Sequence, residues 1–82
     1  MKRYILQYAS MNSEGTLTMD CLGPFVNMDE AKQQQKMIMD EFARENTSMA
    51  DELIMEEFGN FQRIAYHNDL TEIQSRIIML KL

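Results

Sequence analysis

Apolar residues along the chain switch between two periods, and the switches mark the elements. Residues 2–9 are rich in Tyr and Ile. Over 16–22, Leu17, Met19 and Cys21 alternate with Thr16, Thr18 and Asp20, the period of a half-buried strand. Between these runs Ser10-Met11-Asn12-Ser13-Glu14-Gly15 supplies turn residues, with Gly15 suited to a positive φ, so a hairpin is predicted. Gly23-Pro24 is predicted to end its second strand, because proline has no N–H to give to a ladder. From Asn27 the period lengthens. Met28, Ala31, Gln35, Ile38, Met39 and Phe42 share one helical face, and Glu30, Gln33, Asp40, Glu41 and Arg44 share the other. Asn27 is placed to cap this helix, with Glu30 as its capping-box partner, and the helix is predicted to reach about Glu45.

After the weak helix formers Asn46-Thr47-Ser48, a second helix is predicted from Ser48 to Gly59, its apolar arc formed by Met49, Ala50, Leu53, Ile54 and Phe58. Residues 61–67 read as a strand and Asn68-Asp69 as a turn. Residues 72–82 fit either a strand or a helix carrying Leu70, Ile73, Ile77 and Leu80 on one face. The β-prone isoleucines, following a turn directly after a strand, favour the strand. The expected fold is therefore α+β: a single domain, 1–82, with a small four-stranded antiparallel sheet in the order β-β-α-α-β-β. One long and one short helix pack on one face of that sheet. The last strand is apolar on both sides, with Ile77 and Met79 on one and Ile78, Leu80 and Leu82 on the other. A second copy of the chain is the simplest cover for the side without helices, so a homodimer is expected.

Composition narrows the class. Leu, Ile, Val and Phe supply 19 of the 82 residues, above the roughly 20% below which a strongly charged chain stays disordered. A domain of this size has a core near the minimum, which also favours oligomerisation. With one Cys and one His there is neither a disulfide framework nor the ligand set of a structural zinc site. No apolar run is long enough to span a bilayer. Tyr4-Ile5-Leu6 stops at Gln7, short of a secretory signal, and the cytoplasm is the expected location.

Charge is unevenly distributed. Residues 1–24 sum to zero, residues 25–58 hold nine acids and three bases, and residues 59–82 sum to +1, giving a net charge of −5. Duplex nucleic acid is thereby a poor partner. In the predicted second helix, Glu56 and Glu57 occupy the last turn, where negative charge is disfavoured, and Glu52 and Glu56 form a like-charge i,i+4 pair. Local rules are often broken at functional sites. Met37 and Met55 point to the polar sides of their helices, as flexible side chains of a binding surface do.

No chemistry-bearing motif emerges. The three glycines form no phosphate cradle, and there is no His-x-x-x-His or calcium-loop spacing. Cys21, in phase with Leu17 and Met19, reads as a core residue. A Cys21–His67 dyad lacks an orienting third residue. No catalytic residue, cofactor or metal is expected. The favoured function is a small acidic non-catalytic protein–protein interaction domain, an inhibitor or adaptor docking on a basic protein through Asp40, Glu41, Glu52, Met55, Glu56 and Glu57. The alternative is a single-stranded nucleic-acid binder using the sheet face through Tyr4, Tyr8 and Arg76.

Overall fold

The computed structural model describes residues 1–46, 53–66 and 71–81. It contains β1 (Lys2–Met11), β2 (Leu17–Phe25), α1 (Met28–Glu45), β3 (Leu53–Phe58), β4 (Phe61–Tyr66) and β5 (Glu72–Lys81). The strands form one antiparallel sheet in the order β2-β1-β5-β4-β3, with β5 at its centre.

The first hairpin closes on Asn12, whose Oδ1 accepts the N–H groups of Glu14 and Thr16, both at 3.0 Å, while Gly15 adopts φ 84°. Contrary to the sequence expectation, β2 continues through Gly23-Pro24 to Phe25. Two facts permit this. β2 is an edge strand, where a missing N–H need not cost a ladder bond. The register also shifts there, from Leu6↔Leu22 to Tyr4↔Phe25, so that Gly23 and Pro24 together face Ile5 as a bulge. Gly23 has φ 122°, and a Cβ on it would lie 2.9 Å from the Tyr4 carbonyl oxygen. Only glycine fits that close approach.

α1 starts where the capping pattern places it. Asn27 Oδ1 accepts the Glu30 N–H at 2.9 Å, and Asp29 and Glu30 lie in the first turn. The helix stops at Asn46, whose backbone N–H and Nδ2 both donate to the Phe42 carbonyl. Ala31, Gln35 and Met39 are its buried residues. They meet the sheet in two adjoining clusters, Leu6–Ala31–Ile77 and Met39–Ile64–Ile73, with Ile38 packed against both. Gln35 sits between them. Its Nε2 donates to Ser75 Oγ on β5 and to the carbonyl of Asn60 in the β3–β4 turn, both at 3.0 Å. The same carbonyl accepts the Ile77 N–H at 3.2 Å.

The main correction concerns the predicted second helix. Leu53–Phe58 is a strand, paired to β4 across the two-residue turn Gly59-Asn60, with Gly59 at φ 57°. Among the described residues the sheet thus has five strands rather than four, and one helix rather than two covers it. The apolar arc fits a helix numerically and each side of the segment is mixed, Ile54-Glu56-Phe58 on one and Met55-Glu57 on the other, but a strand removes the charge conflict. Glu56 and Glu57 leave a helix C-terminus and face Arg63 and Gln62 across the hairpin instead. Residues 47–52, including the expected helix start at Ser48, lie outside the described residues, as do His67 and the expected turn at Asn68-Asp69. β5 is a strand, and the helical alternative for this segment falls.

Two substitutions test this packing. Gln35→Ala removes a buried side chain and two hydrogen bonds and is expected to cost about 2–4 kcal/mol in urea denaturation. Exposed Gln33→Ala should stay within about 0.5 kcal/mol. Gly23→Ala is expected to destabilise by about 1–3 kcal/mol, through its positive φ and the clash with Tyr4. A neutral result at both Gln35 and Gly23 would contradict the described helix seat and bulge.

Candidate functional site

Among the described residues, concave features lie on each side of the sheet. The first is a groove of about 560 Å³ between α1 and the β3–β4 hairpin, which extends past the helix. It gathers four of the six residues expected from sequence: Asp40, Met55, Glu56 and Glu57. Glu41 is exposed on α1 but does not line the groove, and Glu52 lies outside the described residues. Met55 is 67% exposed, and Met37, also on α1, is 62% exposed.

The groove is not the acidic surface expected. Lys32 and Lys36 line it beside Asp40 and Glu57, while Glu56 and Arg63 border it with their side chains on the other face of the sheet, so its formal charges cancel. Asp40 is held by Lys36 Nζ at 2.7 Å, and Glu57 Oε1 accepts from Gln62 Nε2 at 3.0 Å. Arg63 bridges two strands, reaching Glu56 at 3.2 Å and Glu72 at 2.7 Å. Hydrogen bonding from Arg63, against the opposing effect of burial, holds the Glu72 carboxyl below the usual carboxylate range, and Gln74 adds a second donor. Among the described residues, the acids that sequence reading assigned to two neighbouring helices are thus divided between one helix and a strand hairpin, and Asp40 and Glu56 are paired with bases.

The second feature is the sheet face opposite α1. Ladder register sets its side chains in cross-sheet rows. One runs Leu17, Met11, Glu72, Ala65, Ile54; the next Met19, Ala9, Gln74, Arg63, Glu56; the third Cys21, Gln7, Arg76, Phe61, Phe58. Beyond them Ile5 pairs Ile78 and Arg3 pairs Leu80. Twelve of these 19 positions are apolar. Exposure is largest at the two edges, with Phe58 at 71%, Met19 at 67% and Leu17 at 62%. A shallow pocket of about 360 Å³ occupies the middle, between Met19 and Phe61 and beside Arg76. The Arg76 Nε donates to Gln7 Oε1 at 2.8 Å, and no carboxylate among the described residues pairs with it.

This face revises three expectations. Tyr4 and Tyr8 pack on the helix side against the core clusters, so the register separates them from Arg76. Burial and the carboxylate of Asp20, the cross-strand neighbour of Tyr8, push its phenol up. Cys21 is exposed on the open side rather than buried in the core. The aromatic pair beside Arg76 is instead Phe58 and Phe61, with ring centroids 5.3 Å apart and tilted by 37°. No period-2 pattern announced it, because both sides of 53–58 mix apolar residues with glutamate, and the helical arc prevailed.

Among the described residues no group of three or more His, Cys, Asp and Glu could hold a metal ion, and no helix is long and apolar enough to cross a membrane. Compared with protein-family models, curated proteins and solved structures, the chain matches none.

The Arg63 bridge gives a signed pH prediction. The folded carboxyl of Glu72 titrates below its unfolded value of about 4.3, so its contribution is present above that pH and lost as pH falls through the lower folded value. Arg63→Gln should therefore lower the urea midpoint at neutral pH, and the gap to wild type should shrink on acidification. A gap that holds constant or widens in acid would contradict the bridge.

Proposed function

We propose that this protein is a small non-catalytic protein–protein interaction domain whose docking surface is the open sheet face. The observation that carries the proposal is an uncovered face with apolar residues at twelve of its 19 positions, Phe58, Met19 and Leu17 being largely exposed at its edges. Apolar side chains scattered singly over a surface are ordinary, whereas many gathered on one uncovered face mark an interaction site. Aromatic residues and arginine supply most interface anchors, and the row of Arg76, Phe61 and Phe58 brings both kinds together. Docking proceeds by apolar burial rather than by steering onto a basic surface, because the groove that gathers the expected acids is formally neutral. The lone exposed thiol of Cys21 accords with a reducing compartment, and we place the protein in the cytoplasm.

The Phe58–Phe61 pair beside Arg76 also favours a second reading, stacking of single-stranded nucleic-acid bases. Against it, Arg3, Arg63 and Arg76 on this face are offset by Glu56 and Glu72, and the chain as a whole carries −5.

Photo-crosslinking side chains placed at Met19 or Phe58, in cells that make the protein natively, are expected to form protein adducts, and one at Met37 on α1 none. Adducts at Met37 with none at the open face would overturn the proposal. A low-salt gel shift with single-stranded oligonucleotides that Phe58→Ser and Arg76→Ala both abolish would replace it with the second reading.

A further inference from the structure

We infer that the occupant of the open face is a second copy of this chain, packed face to face so that the two sheets form a sandwich with both helices outside. The inference rests on the reading of that face as the docking surface and names what docks there.

Area is the first argument. Five strands spaced ~4.8 Å apart, with rows spanning about eight residues at ~3.3 Å each, give a face of roughly 600 Å² in plan. Side-chain relief brings this near the ~800 Å² per partner of a standard stable interface. Charge is the second. The open face carries Arg3, Arg63 and Arg76 against Glu56 and Glu72, a sum of +1, so the rest of the chain holds −6 of the −5 total. The remaining surface as a whole is net negative and repels its own copy, whereas this face is near neutral.

Self-complementarity is the third. A two-fold axis lying across the strands reverses each strand over its own copy. Centred on the row of Gln74, it sets Arg76, two positions after, over Glu72, two positions before. In the same way it sets Ile54 over Phe58, while on the axis row Arg63 and Glu56 meet their own copies with each one's opposite charge on the adjacent strand. Arg76, which pairs with no carboxylate among the described residues, gains one, so its burial leaves no isolated charge. The sheet thereby becomes covered on both sides, as small domains with minimal cores require.

Sedimentation equilibrium of the purified full chain tests this. Wild type is expected to run at twice the 9.7 kDa chain mass at ~10–100 µM, and Met37→Ser likewise. The double variant Met19→Ser/Phe58→Ser should dissociate at least ~10-fold more readily. Both changed residues are exposed, and an unchanged far-ultraviolet spectrum would exclude unfolding as the cause. Wild type that stays monomeric to ~1 mM overturns the inference, as does a double variant that dimerises like wild type. A monomeric wild type whose open face still crosslinks to a different protein removes the second copy alone. Failure to crosslink anything there removes the docking face as well.

Discussion

A buried amide fixes the helix to one side of the sheet, and the character of both faces follows from that. Gln35 donates to Ser75 on the central strand and to Asn60 in the far hairpin turn, so one side chain joins α1, β5 and the β3–β4 hairpin. Buried polar groups must be satisfied or they cost their desolvation energy, so this seat admits few alternatives. The apolar residues flanking Gln35 close the two core clusters around it. An 18-residue helix seated there spans the inner strands and leaves β3 extending past it, which creates the groove. It also leaves the opposite face without any cover from the described part of the chain.

Electrostatics then acts as a constraint on where contact can occur rather than as the contact itself. The excess of acid is real, but the cross-strand pairing of Glu56 and Glu57 with Arg63 and Gln62 and the ion pair of Lys36 with Asp40 disperse it. What remains distinctive is the near-neutral sheet face, where hydrophobic side chains at both edges frame a polar middle held by Gln7, Arg76, Arg63 and Glu72. Burial of apolar area supplies the drive for association at such a surface, and the fixed polar strip supplies register.

How much of this was legible in the sequence depended on whether two periods competed. In α1 they did not: the Asn27 cap, the face containing Gln35 and the Asn46 stop all follow from local residues. Over 53–58 mixed faces hid the strand period, and helix spacing was preferred although Glu56 and Glu57 violated it. That violation was a symptom of the wrong element, not of a functional site. Pro24 misled in the opposite sense, because a single sequence does not tell an edge strand from a central one. Cys21 was assigned to the wrong side of β2 because Leu17 and Met19, its partners in phase, face the open side. An apolar phase identifies a face but not what lies over it. Met55 was expected to be exposed and is, though on a strand, while the anchor pair Phe58 and Phe61 was visible only once the hairpin register was known.

Methyl spectra of methionine-labelled protein, recorded with a soluble paramagnetic probe over a range of protein concentrations, address the central claim most directly. Met39 reports the core, Met37 the outer surface of α1, and Met19 the open face. Met39 should be shielded throughout and Met37 broadened throughout, while Met19 should pass from broadened to shielded as concentration rises. A Met19 methyl that stays as accessible as Met37 at every concentration would contradict a sheet whose second face is covered by association.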